Sequence, residues 1–238
     1  METIVVIIWS SLLALGWCVV FCLIHFFRLI KLGKVKDLSQ KSGDVKKAVV
    51  YSNTAAMLPA QKESAYKHFP TFTAGVIYHL GTFLSLLNFV FLVLVAVFEV
   101  FEIWDWLEYW WIPACIACFL LVSSLCGLSL LLKRVFSKKL RPFSNFDDYF
   151  SNGIVTLFQL FNFALFAILA IIIFDGYLLL IFYYHLNVII YGYFITAALL
   201  FLYLPFGKLK LAIYYFATRY HVGFFYGWRN AWPPKKVN

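Results

Sequence analysis

Several stretches of this chain stay apolar for more than about 18 residues, and that feature constrains the fold more than any other. Roughly 20 such residues make a helix long enough to cross a hydrocarbon layer about 30 Å thick. A helix also keeps its backbone hydrogen bonds internal, which lipid demands because it offers no partners. Five segments fit: about 4–29, 72–98, 110–132, 150–174 and 182–206. Between them lie a polar loop, 31–69, and a tail, 207–238. The expectation is an all-α integral membrane protein, a single membrane domain built as a five-helix transmembrane bundle.

Composition closes the alternatives. Hydrophobic residues make up 63% of the chain and charged ones 13%, with a mean hydropathy of +0.85. A soluble domain carries roughly a quarter charged residues, so too few are present here to clothe a globular surface. A soluble enzyme, a secreted disulfide scaffold and a disordered tail are all excluded.

The net charge of +9 is explained by where the cations fall. Nine of the 20 Lys and Arg run from Arg28, at the inner end of the first span, to Lys67 before the second; five lie between the third and fourth, and six after the fifth. The opposite side has none and carries Glu99, Glu102, Asp105, Glu108 and Asp175. Lys and Arg are retained in the cytoplasm during insertion, so the N-terminus is expected outside and the C-terminus inside, in a multi-pass protein of the inner (cytoplasmic) membrane. No nucleic-acid partner is needed to account for the basic balance. The lipid bilayer is the expected partner, with anionic headgroups drawn to the basic face. Trp104, Trp106, Trp110 and Trp111 on one side and Trp228 and Trp232 on the other form the aromatic belts of a spanning protein. The first apolar run lacks a basic leader and exceeds the core of a signal peptide, which reads as a retained helix.

Chemistry-bearing residues are sparse. Cys18 and Cys22 fall one turn apart on the first span; Cys115, Cys118 and Cys126 fall on the third. Cys115 and Cys118 form a CxxC inside an apolar helix, with no second pair to complete a zinc site, so they read as small packing residues. The loop 31–69 has the mixed charge of a surface helix, and Pro70 marks the start of the second span. No phosphate-binding loop, catalytic triad or carboxylate pair is present, so no catalytic site of its own is evident. Asn88, Gln159, Asn162, Asn187 and Thr196 lie within spans, where interhelical hydrogen bonding is expected.

Histidines at bilayer depth are functional candidates by default. His79 lies about two turns, roughly 10 Å, into the second span from its inner end, and His25 sits at a similar level on the first. His185 falls roughly 30 Å from the inner end of the fifth span. Imidazole is a common axial ligand of haem iron, and a bis-histidine haem b needs two rings at one depth. Among these residues only His25 matches His79. Gly75 and Gly81 flank His79 and could leave room for a macrocycle. The alternatives, a histidine bonded to a neighbouring helix and interfacial snorkelling, stay open.

Four stretches bear a family resemblance. Leu130-Leu131-Leu132-Lys133-Arg134-Val135-Phe136-Ser137, followed by Arg141, resembles the end of the third helix in respiratory nitrate reductase gamma subunits. Leu140-Arg141-Pro142-Phe143-Ser144, with Asp147-Asp148-Tyr149, resembles a loop in the membrane subunits of heterodisulfide reductase and sulfite-reduction complexes. Leu204-Pro205-Phe206-Gly207-Lys208-Leu209 is similar to the signature after that family's fifth helix, and Tyr78-His79-Leu80-Gly81 to its second-helix haem-ligand motif. The match spreads over about residues 72–229. The resemblance implies a cytochrome-b-like subunit of an oxidoreductase complex, passing electrons between membrane quinone and a cytoplasmic iron–sulfur or flavin partner.

It also implies four haem-ligating histidines, of which only His79 is present. The second position on helix two falls at Asn88 or Phe89, the fifth-helix position near Tyr193, and the last near Leu211. Two readings follow. One haem b, rather than two, is held by His79 with a substituted partner such as His25, haem iron being the only metal expected. Or haem is lost and the chain is a cofactor-free structural or assembly subunit. A transporter component ranks third, since no span carries a Lys or a buried carboxylate and no proline breaks a span at its centre.

Overall fold

A computed structural model describes residues 2–31, 39–57, 67–98, 109–138, 140–174 and 178–233. Among the described residues it is all-helical: α1 (Glu2–Lys31), α2 (Val45–Asn53), α3 (Phe69–Phe98), α4 (Trp111–Phe136), α5 (Phe146–Phe174), α6 (Leu178–Tyr203) and α7 (Leu211–Trp228). Five of these, α1 and α3 to α6, are long and apolar enough to cross a membrane. The chain is a multi-pass membrane protein. The carboxylates expected outside, Glu99, Glu102, Asp105, Glu108 and Asp175, lie outside the described residues, as do Trp104 and Trp106.

Helix ends differ from the sequence expectation for local reasons. Helix α3 starts at Phe69 with Pro70 in its first turn, where a missing N–H costs nothing. Helix α4 continues past residue 132 and ends with Lys133 and Arg134 in its last turn, where cations favour the carbonyl end of the helix dipole. Helix α5 begins at Phe146 because Asp148 Oδ2 accepts from the Asn145 N–H at 3.0 Å, closing a capping arrangement. Helix α6 stops at Tyr203, short of the expected 206, because Pro205 cannot continue it. The expected surface helix in the long loop is α2, capped by Asp44, whose Oδ1 accepts from the Lys47 N–H. The tail was expected to be extramembrane chain; 18 of its residues form α7.

The chain forms two compact units, Met1–Gly16 with Pro70–Tyr203 and Trp17–Phe69 with Leu204–Asn238. In the first, α4 runs antiparallel to α3: Lys133 Nζ donates to Thr71 Oγ1 at one end, and Leu84 packs on the Ala117–Leu120–Phe166 core towards the other. Helices α5 and α6 pair through Phe158 stacked on Tyr193 (5.4 Å, 17°) and Phe150 edge-on to Tyr203 (4.7 Å). The loop between α4 and α5 is closed by Arg134 on Asp148 at 3.5 Å and a 3-10 turn at Arg141–Phe143.

The second unit holds α2 against α7. A Cβ at Gly223 would lie 2.7 Å from Val49 Cα, and one at Gly227 would lie 2.9 Å from Val45 Cα, so two glycines one turn apart let the backbones touch. Ala48 and Ser52 face them, both fully buried, and Ser52 Oγ donates to the Arg219 carbonyl at 2.8 Å. Trp228 Nε1 donates to the Ser39 carbonyl at 2.8 Å, tying the preceding loop to the end of α7. The Gly223-x-x-x-Gly227 spacing is visible in the sequence as a close-packing signal.

Candidate functional site

The Tyr78-His79-Leu80-Gly81 segment is the natural place to start. On α3, consecutive residues point about 100° apart, so the four cannot share a face. Tyr78 is buried, and its hydroxyl donates to the Asn152 carbonyl at 3.2 Å. Gly81 is buried too: a Cβ there would overlap Ser123 Oγ. His79 instead shares the exposed face of α3 with Val76, Leu80 and Phe83. The ring of the neighbouring Tyr78 lies 5.7 Å from its own. Among the described residues its imidazole makes no hydrogen bond.

The room expected beside His79 is only half there. Gly75 faces open space, but the hollow at Gly81 is filled by Ser123 of α4. Gln159 of α5 completes this knot. Its Nε2 donates to the Tyr78 carbonyl (3.0 Å) and to Thr82 Oγ1 (2.8 Å), and its Oε1 accepts from Ser123 Oγ (3.1 Å). Gln159 and Ser123 are both fully buried. A buried amide with both donors satisfied joins three helices across the interior, where each interhelical bond contributes about 0.6 kcal/mol.

Of the polar residues expected to bridge helices, Gln159 does so. Thr196 Oγ1 turns back to its own Gly192 carbonyl at 2.8 Å, and Asn162 Nδ2 to the Phe158 carbonyl at 3.3 Å. Among the described residues, Ser85 Oγ, Asn88 Nδ2, Asn162 Oδ1 and the Tyr193 hydroxyl are buried without a hydrogen-bond partner.

The remaining matching positions within spans fall at Asn88 or Phe89 on α3 and near Tyr193 on α6; of these residues Phe89 and Tyr193 meet. Both are fully buried, and their rings face each other at 6.0 Å across α3 and α6. Phe158 stacks on Tyr193, and Phe201 lies edge-on to Phe89 at 4.9 Å. Residues at or beside the positions that the resemblance gives to haem ligands thus meet inside the first unit, and aromatic rings fill the space between them. Neither ring offers a nitrogen to iron.

His25 belongs to the second unit. Its Nδ1 lies 3.2 Å from the Tyr214 hydroxyl of α7, with the rings edge-on at 6.1 Å. That contact occupies one ring nitrogen and leaves Nε2 for any other bond. Leu211, the last matching position, is the first residue of α7 and is exposed. The side chain of His185 lies outside those described.

The cysteines are all free. Cys18 and Cys22 sulfurs lie 3.8 Å apart along α1. Cys115 and Cys118 are exposed rather than packed, and Cys118 borders an apolar groove between α4 and α5 that Trp110, Ala114, Ala167 and Phe174 also line. Among the described residues no cluster of three His, Cys, Asp or Glu is placed to hold a metal ion.

No family model, curated protein or solved structure matches this chain.

Proposed function

We propose that this protein is the cofactor-free membrane anchor of an oxidoreductase complex, a cytochrome-b-like subunit whose haem positions are filled by its own side chains. The observation that carries this reading is the buried Phe89–Tyr193 pair. Two residues far apart in sequence, at or beside the positions that the resemblance gives to haem ligands, face each other within the first unit. Aromatic packing there supports the helix bundle that a haem would otherwise support.

The anchor sits with its N-terminus outside and its C-terminus in the cytoplasm, in the inner membrane. It holds an iron–sulfur or flavin subunit at the cytoplasmic face, where the 133–149 and 204–209 motifs lie. Catalysis belongs to that partner.

A second reading keeps one haem b and a quinone-linked relay. It rests on His79, whose imidazole is exposed and makes no hydrogen bond among the described residues. His79→Ala separates the two readings: an anchor keeps its complex intact, whereas a relay loses its haem.

Capture of the whole complex tests the anchor. The protein, tagged at its C-terminus and solubilised in mild detergent after brief crosslinking, should bring down a soluble subunit with iron–sulfur or flavin absorbance. Recovery of the chain with no redox subunit at all would overturn the assignment to an oxidoreductase complex.

A further inference from the structure

From residue 204 to the end the chain carries six Lys and Arg and no Asp or Glu. Within it, α7 has two unlike sides. Gly223 and Gly227 turn to α2. Leu211, Tyr215, Thr218, Val222, Phe225 and Arg229 recur at i, i+4, i+7, i+11, i+14 and i+18, so they form one stripe along the whole helix on the other side. Leu211, Tyr215, Phe225 and the adjacent Tyr226 are between 38% and 57% exposed. Two cations lie over the stripe's rings: the Arg219 guanidinium sits 5.5 Å from the Tyr215 ring centre, and that of Arg229 sits 3.9 Å from the Phe225 ring centre.

We infer that α7 is an in-plane membrane helix, with this stripe immersed in the bilayer interface and Arg219 and Arg229 bound to anionic phospholipid headgroups. The inference is independent of the proposed function. An apolar aromatic face bordered by cations is the pattern of a helix buried about 5–10 Å into the headgroup boundary. Arginine placed over an aromatic ring can keep its charge among headgroups while its stem covers apolar surface. The tether keeps the bilayer within reach: only residues 204–210 separate α7 from the end of spanning helix α6, and three of them form a 3-10 turn. An apolar stripe bordered by arginines, on a segment with no Asp or Glu, suits a negatively charged lipid surface.

Spin labels on the full-length chain in lipid nanodiscs test this directly, with the five native cysteines replaced by alanine. One label goes on the stripe through Thr218→Cys, a mild change at an exposed site. The other goes on α2 through Lys46→Cys, on the helix held to the opposite side of α7. In discs of phosphatidylcholine with phosphatidylglycerol, the Thr218→Cys label should be several-fold more accessible to oxygen than to an aqueous nickel chelate. The Lys46→Cys label should show the reverse. Arg219→Gln and Arg229→Gln should each raise the phosphatidylglycerol content needed for immersion, weakening the lipid preference about fivefold apiece.

Three results would overturn the inference. A stripe label as open to nickel as the α2 label in every lipid mixture means a helix standing in water. A stripe label immobile and closed to both reagents means that protein covers the stripe. Immersion that ignores phosphatidylglycerol and both arginines means burial without headgroup binding.

Discussion

The two units of this protein differ in charge and in the size of the residues at their helix contacts. Residues 1–16 and 70–203 carry five Lys and Arg against eight Asp and Glu; the remaining residues carry fifteen against three. The first unit packs bulky rings, Phe89, Phe158, Tyr193 and Phe201, and fastens its helices with one shared amide, Gln159. The second brings backbones into contact through Gly223 and Gly227 and bonds side chains to carbonyls, as Ser52 does to Arg219. Where the surrounding solvent is as apolar as leucine, burial gives no drive, and association rests on shape and a few hydrogen bonds. In the second unit α2 and α7 lie outside the spanning segments, and their small facing residues let the backbones approach.

The largest effect is expected from filling the glycine face. Gly223→Leu places a side chain where Val49 Cα lies 2.7 Å from the first added carbon. Backbone must move, so α2 should leave α7 and the 31–69 loop should be cut by protease many times faster. Gly16→Leu is the control, since nothing lies within 4 Å of a Cβ there. Equal protease sensitivity in both variants would break the comparison.

A somewhat smaller effect is expected at the corresponding position in the first unit. Gly81→Ala collides with Ser123 Oγ and should destabilise by about 1–3 kcal/mol. Thiol-reactive dye unfolding, read on the native cysteines, measures it. Ser123→Gly on the same chain should recover most of the loss, and failure of that rescue would mean the knot is not where the strain falls. Gln159→Leu removes bonds to Tyr78, Thr82 and Ser123, and an expected loss of about 1–2 kcal/mol follows from the per-bond figure.

Tyr193→Phe should do little or stabilise slightly, by at most about 1 kcal/mol, because the hydroxyl it removes is buried and has no hydrogen-bond partner among the described residues. A marked loss would reveal a partner for that hydroxyl. The smallest effect belongs to Lys47→Gln, whose ion pair with Asp44 spans 3.8 Å between side chains 79% and 51% exposed. No measurable change is expected from so exposed a pair.

Much of the fold is legible in the sequence, because lipid imposes length and apolarity on every span. The direction of a side chain is another matter. Helix α3 is apolar all round, so nothing in its pattern says that Tyr78 and Gly81 turn inward and His79 outward. Only the partners, Ser123 and Gln159, fix that rotation. Helix α7 escapes notice for a related reason. Arg219 and His221 interrupt its apolar run, and its stripe is apparent only once glycines are assigned to the opposite side. The facing of Phe89 and Tyr193 needs tertiary structure altogether, as they lie 104 positions apart.

The central claim is that rings, and no haem, fill this interior. The most direct measurement is a dithionite-reduced minus air-oxidised spectrum of the complex purified from its native membranes, with a haem-to-protein ratio for this chain. The account predicts no b-type α-band assignable to this subunit, from protein that is folded and carries its partner. An α-band at about one haem per chain, abolished by His79→Ala, would contradict it and make the protein an electron carrier.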